Sequence, residues 1–264
     1  MPELYKLLHT NDYHNHLSTT QAAALKRRVA ELNDRGLLLD AGDAISSGNI
    51  TYKPGGEQIL EVMSEIGYAA MTVGNREFHF SHIGFHSKLS KASFPILCAN
   101  VRAAGNGRRS DRAEGDDDTN RGIDPPVYPW RLFELHGGFR ILVFGVTVPM
   151  ITERMLVRKV SAYVFDDPIE TAASLVPRLI TEQRPDMIVA LTHIGARFDR
   201  LLAEKVSHID LIIGGHTHLV FPEGERVADT LIVQAGSHGR LLGKVDVVRN
   251  SSGVLDLTAR VEEL

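Results

Sequence analysis

The chain has a single cysteine, no long apolar run and no surplus of either charge, and each lack removes a class of function. Cys98, inside PILCAN (95–100), has no partner for an internal disulfide. One thiol also excludes a thiolate-rich metal site, which leaves a small buried residue at a strand end. The apolar stretches are too short to span a bilayer, so no membrane partner is expected. A formal net charge of −4 over 264 residues gives no reason to expect nucleic acid or an anionic surface as partner. No charged-then-apolar leader precedes the first apolar run of MPELYKLLHTND, so a cytoplasmic protein is expected. No G-x-G-x-x-G opens a helix, which argues against a dinucleotide site. There is no internal repeat and no linker, and one domain over 1–264 is expected.

What the chain does have is five apolar runs that stop abruptly at metal-ligand side chains. They are LLHTNDYHNH (7–16), LLLDAGD (37–43), AMTVGNREFHF (70–80), MIVALTHIG (187–195) and DLIIGGHTH (210–218). Buried parallel strands that end at an active site look like this. Helical patterns separate them. QAAALKRRVAELND (21–34) puts Leu25, Val29 and Leu32 on one face, with Gly36 as its expected cap. GEQILEVMSEIG (56–67) stops at Gly67, Ser81 is placed to cap a helix running to about Lys91, and Asp167-Pro168 open a helix over 168–183. A further helix is expected near 198–207 and a strand over PILCAN. The β-α-β rhythm predicts an α/β fold with a largely parallel or mixed sheet. WRLFELHGGFRILVFGV (130–146) reads as a hairpin turning at Gly137-Gly138, and 231–264 as closing antiparallel strands. Residues 102–124 are polar and Gly-rich and read as a surface insertion.

The motif ends gather Asp12, His14, Asp43, Asn75, His193, His216 and His218. Asp12 and His14, like His216 and His218, are two apart. In an extended segment such pairs project to the same side and grip one metal region. Taken singly, each of the seven is a cap or a satisfied polar residue. Together they exceed one ion's coordination and suit two divalent ions sharing a carboxylate. The mixture of imidazole and hard oxygen suits Mn, Fe, Zn or Co better than Mg or Ca alone. His9 is open between a supporting and a structural role, His16 is ambiguous because HNH (14–16) also makes an i, i+2 pair, and His82, His86, His136 and His208 read as surface or core residues.

With these motifs in this order, from HTNDYHNHL through LCANV and GVT to GGHTH and VQAGSHGRLLGKVDV, the chain resembles the calcineurin-like metallophosphoesterases. Within them it is most similar to the catalytic domain of the 5′-nucleotidase and UDP-sugar hydrolase group. The resemblance implies a four-layer α-β-β-α sandwich with two mixed β-sheets. It implies one metal held by Asp12, His14 and His218, another by Asn75, His193 and His216, and Asp43 bridging them. It implies hydrolysis of a phosphomonoester or phosphodiester, nucleotide-like or another small metabolite, by in-line attack of a metal-bridging hydroxide. Full members of the group carry a C-terminal domain that clamps the base. The sequence stops at Leu264, so nucleotide specificity is not carried over, and the 102–124 loop or a second subunit in a homo-oligomer would have to shape the pocket.

The third motif departs from the family, which has Asn-His after the third strand and an Asp three residues past that His. Here Arg76 stands at the position of the transition-state histidine and His79 at that of its supporting aspartate. Arginine holds phosphoryl charge in a planar fork but donates no proton at neutral pH. The leaving group is then expected to take its proton from water, His79 or His238. Two other readings stand beside this one. A metal-dependent amidohydrolase would explain the early His-x-His but not Asp43, Asn75 or the late Gly-His-Thr-His. A catalytically impaired binding or regulatory module would follow if Arg76 marks a silenced site.

Overall fold

The structure, a computed structural model, describes residues 3–104 and 127–264. β1 (Glu3–Thr10) leads to α1 (Thr19–Leu32), which starts on a capping box. Ser18 Oγ accepts from Gln21 N while Gln21 Oε1 accepts from Ser18 N. The helix ends before Asn33, which takes a left-handed φ of 43°, so Gly36 is not its cap. Gly36 instead opens β2 (Gly36–Asp40), where a Cβ would meet the Lys6 carbonyl oxygen at 2.2 Å. α2 (Gln58–Ile66) stops at Gly67 in the left-handed region, as expected. β3 (Ala70–Thr72) and α3 (His82–Leu89, capped by Ser81) follow. The PILCAN strand shrinks to β4 (Ile96–Leu97).

Arg102 and Ala103, expected in an insertion, belong to β5 (Val101–Ala103). β5 pairs with β8 (Tyr163–Phe165) in a two-stranded sheet. The expected insertion from 105 to 124 lies outside the described residues. β6 (Trp130–Leu135) and β7 (Phe139–Thr147) form the expected hairpin. α4 (Pro168–Gln183) begins where Asp167 accepts from Ile169 N and Glu170 N. β9 (Met187–His193), α5 (Ala196–Lys205) and β10 (Leu211–Gly214) complete the second βαβ series. The last four strands are β11 (Glu225–Val227), β12 (Thr230–Val233), β13 (Leu241–Arg249) and β14 (Leu255–Glu263). The closing strands are not all antiparallel, because β12 runs parallel to β10.

Two six-stranded sheets result, ordered β14-β13-β1-β2-β3-β4 and β11-β12-β10-β9-β7-β6. Each has four parallel strands extended by antiparallel ones, so both are mixed. The period of two along the strands divides the core into three layers. Leu7, Leu39, Val189, Leu191 and Ile213 meet between the sheets. Leu8 and Leu38 face Leu25, Leu60, Met63 and Phe85 of the first helices. Leu142, Ile188 and Ile212 face Val176, Leu179 and Leu202 of α4 and α5. This is the four-layer α-β-β-α sandwich that the resemblance implied. The parallel strands are apolar on both faces because both faces are covered.

Candidate metal centre

The seven side chains come together where β1, β2 and β3 of one sheet and β9 and β10 of the other end. The paired residues converge for a different reason from the extended geometry expected. Asp12, His14, Asp43, His216 and His218 all have φ between 49° and 75°. Their backbone turns left-handed, a conformation that L residues rarely adopt and that clusters at functional sites. Main-chain bonds hold the loops there. Asp12 N donates to Gly42 O (2.9 Å), His14 N to Asp43 O (3.0 Å) and Asn15 N to Ala44 O (2.8 Å). The loop after β3 presses on the loop after β2 at Gly74, where a Cβ would lie 2.3 Å from Asp43 N and Oδ1. At Gly215 a Cβ would lie 2.9 Å from His193 Nδ1 and from the Ala41 carbonyl oxygen.

His14 Nε2 and His218 Nε2 point at one place, 3.1 Å apart. Asp12 Oδ1 lies 3.2 Å from the second and 3.7 Å from the first. Asp12 Oδ2 is occupied, accepting from Asn11 Nδ2 (2.8 Å) and His216 N (3.0 Å). Asp12 Oδ1 is buried and has no hydrogen-bond donor among the described residues. A second convergence forms on Asn75 Oδ1, 3.2 Å from His193 Nε2 and 3.0 Å from His216 Nδ1. Asp43 Oδ1 stands 3.5 Å from the same His193 nitrogen. His193 Nδ1 donates to the Ala41 carbonyl (2.7 Å), which orients the ring and leaves Nε2 to bind.

The donors fit divalent cations. An orphaned carboxylate oxygen between two inward-facing imidazole nitrogens is a ligand set. The charges agree: burial opposes a charged His193, yet the Asp43 and Asp12 carboxylates pull its pKa up to about 9, so the pocket attracts positive charge. Burial lowers His14, and Asp43 is the largest influence restoring it. Asp43 is thus the strongest attractive charge on a member of each convergence.

The profile of the family described as calcineurin-like phosphoesterase matches residues 5–220. The chain belongs to the calcineurin-like phosphoesterase family. Members of that family use two divalent metals, and the donor set here meets that requirement. The chain is 33% identical over 94% of its length to the trifunctional nucleotide phosphoesterase YfkN of Bacillus subtilis, covering 18% of that protein. It is 28% identical over 92% of its length to a 5′-nucleotidase of Vibrio cholerae, covering 48% of it. Its fold superposes on the 5′-nucleotidase precursor of Thermus thermophilus with a TM-score of 0.77 at 26% identity, covering 99% of this chain and 55% of that one. The chain thus spans half or less of the length of these curated relatives. Among its described residues no helix is long and apolar enough to cross a membrane.

The residues that depart from the family pattern take distinct positions. Arg76 N donates to Asp43 Oδ1 (2.8 Å), its Nη1 to the Ser46 carbonyl (3.0 Å), and its Nε lies 3.5 Å from Asp43 Oδ2. The Arg76 guanidinium therefore borders the metal cluster. His79 turns elsewhere: its Nδ1 accepts from Ser81 N (3.0 Å), and its ring stacks on Phe80 and meets Tyr52 edge-on. His238 faces the centre, its ring centroid 5.3 Å from His14 and 6.0 Å from His218. His16 packs edge-on against His238. His9 points the other way, against Gly243, where burial pulls its pKa down to about 3.

Sequence reading passed over three residues that build the site. Asn11 clamps Asp12 from behind, bonding also to Gly236 O and Ala235 N. Glu77, fully buried, accepts from Asp43 N, Gly74 N and Ile45 N. Burial, then the Asp43 charge, pushes its carboxyl above the ordinary range. Lys88 is fully buried as well. For Glu77 the signal was an acid two residues past Asn75 in the third strand-end motif; for Lys88 no local signal exists.

Proposed function

We propose that this protein hydrolyses small phosphate esters of the nucleotide or related metabolite class at a two-metal centre. Asp12, His14 and His218 would hold one ion, Asn75, His193 and His216 the other, and Asp43 would lie between them. The single observation that carries this is the pair of convergences on Asp12 Oδ1 and Asn75 Oδ1, built from five strand ends of two sheets. The names of the relatives, a nucleotide phosphoesterase and 5′-nucleotidases, support the substrate class. When bound, the ions supply an acidified water as nucleophile and neutralise phosphoryl charge.

The chain's own groups supply the rest. Arg76 has five N–H donors and, among the described residues, its side chain commits only Nη1 to a hydrogen bond, so its fork can hold phosphoryl oxygens beside Asp43. An arginine donates no proton at neutral pH, so another group must serve the leaving oxygen. His238 is that group. Its Nδ1 pairs with Ser237 Oγ (2.8 Å) and its backbone N donates to Asp12 O (2.8 Å), which holds the ring 5.3 Å from that of His14, beside the first metal set. His79, bonded to Ser81 and packed on Phe80, supports the loop rather than the chemistry.

The deciding experiment is hydrolysis of p-nitrophenyl phosphate beside bis-p-nitrophenyl phosphate in Mn²⁺, before and after chelation. Turnover that vanishes on chelation and returns with metal is the expected result, and the preferred ester separates mono- from diesterase action. Tight metal binding with no turnover of either ester would sink the hydrolase reading and favour a phosphate-binding module.

A further inference from the structure

Lys88 lies in the last turn of α3 with its side chain wholly buried. Its Nζ donates to the carbonyls of Gly48 (2.9 Å), Arg76 (2.6 Å) and Phe78 (2.9 Å). An ammonium has three donors, and all three are used on main chain. Among the described residues no carboxylate pairs with it directly. Burial drags its pKa down to about 8, against the opposing charges of Glu77 and Glu57. Burying an ammonium is costly, and a methionine would fill the same space without that cost. What the ammonium adds is the fastening of three carbonyls from two loops.

Those loops are the ones that build the centre. Gly48 belongs to the segment that leaves Asp43 and passes Ser46, while Arg76 and Phe78 follow Asn75. Neighbouring contacts brace the same segments. Ser87 Oγ donates to the Lys53 carbonyl (2.5 Å), and buried Glu57 accepts from Lys53 Nζ and Ser47 Oγ. Arg76 sits where the two loops meet. Its N is on Asp43, its Nη1 on the Ser46 carbonyl and its own carbonyl on Lys88. An arginine is longer and more flexible than the histidine of the family pattern, so its aim depends on how firmly its backbone and the Ser46 carbonyl are held.

We propose that Lys88 is a positioning residue that acts through Arg76, setting the guanidinium against Asp43 by holding the Gly48, Arg76 and Phe78 carbonyls. The proposal rests on the reading of Arg76 as the group that holds phosphoryl charge. It is tested with Lys88→Met and Lys88→Arg, each in the natural and the Arg76→Met background. Three quantities are measured: kcat and KM on p-nitrophenyl phosphate, orthophosphate affinity of the Mn²⁺-loaded protein by calorimetry, and amide exchange over 46–49 and 76–79 in metal-free protein.

Lys88→Met should lower kcat/KM and orthophosphate affinity about tenfold each with little change in metal content. It should also speed exchange in both segments. In the Arg76→Met background it should change kcat/KM and phosphate affinity less than about twofold. Lys88→Arg should recover part of the loss. Equal losses in both backgrounds would show a merely structural lysine and overturn the proposal, as would unchanged kcat/KM and phosphate affinity in a folded Lys88→Met. If Lys88→Met does not fold, Lys88→Arg carries the same additivity test. A natural protein without turnover still yields the orthophosphate comparison. One that binds metal but no orthophosphate overturns the Arg76 reading and this proposal with it.

Discussion

The two sheets give the centre different chemistry. Loops after β1, β2 and β3 of the first sheet carry Asp12, His14, Asp43 and Asn75, which include every oxygen donor among the seven. Loops after β9 and β10 of the second carry only imidazoles: His193, His216 and His218. The supports differ too. Side chains brace the oxygen wall: Asn11 holds Asp12, Glu77 holds the Asp43 loop, and Asp40 accepts from Thr10 Oγ1 and Gly42 N. The imidazole wall is tied to the oxygen wall itself, His193 Nδ1 donating to the Ala41 carbonyl and His216 N to Asp12 Oδ2. The lesson is that one wall supplies the carboxylates and the other only imidazoles, and each convergence draws on both. Metal affinity is therefore tied to the packing of one sheet on the other.

The hardest blow to this contrast is Asp43→Asn, which removes charge but keeps shape. It should lower kcat/KM on p-nitrophenyl phosphate by roughly a thousandfold, about 4 kcal/mol of barrier. His216→Asn on the imidazole wall should cost visibly less. Equal losses would erase the distinction between the walls.

Arg76→Met comes next. Removing a preorganised donor to developing charge should cost ~10²–10³ in kcat, on good and poor leaving groups alike. A loss confined to poor leaving groups would mean that proton delivery, not charge, was removed.

His238→Ala sharpens the same division from the other side. It should cost ~10²-fold on alkyl phosphates, whose leaving oxygen needs a proton, and little on p-nitrophenyl phosphate. A uniform loss across leaving groups would contradict its assignment.

The smallest effect on catalysis belongs to the seam. Leu191→Ala, between the sheets, and Leu142→Ala, beneath the helices, should each lower stability by about 2–5 kcal/mol in urea unfolding. Only the first should also weaken Mn²⁺ binding, because only it loosens one wall against the other. Matching affinities in the two variants would uncouple the seam from the site.

Much of this was readable from local pattern. The stops at Asp12, Asp43, Asn75, His193 and His216 marked the ends of apolar runs, and burial on both faces made those runs continuous. Asp167-Pro168 and Gly67 marked helix boundaries because capping is a local matter of hydrogen bonds and φ. Other features were not readable. β12 joins its sheet parallel to β10 through a pairing that its own residues do not announce. Gly36 looked like a helix cap because its actual constraint, the Lys6 carbonyl, is thirty residues away in sequence. His79 and His238 looked equivalent on paper, yet one turns to Ser81 and the other to His14.

The sequence by itself determined the donor types, their order, the strand ends that carry them and the exchange of Arg76 and His79 for the family's residues. The donor types, their order and the strand ends follow from composition and from periodicities that act over a few residues, and the exchange at Arg76 and His79 follows from the family resemblance alone. Tertiary structure decided which atoms meet. The left-handed turns at Asp12, His14, His216 and His218 exist because loops of neighbouring strands bond to one another. The two convergences exist because two sheets pack through a shared apolar layer. The burial of Glu77 and Lys88 beneath Asp43 and Arg76 needs both loops in place at once. Side-chain direction at such a seam is a property of long-range packing, and no window of the sequence contains it.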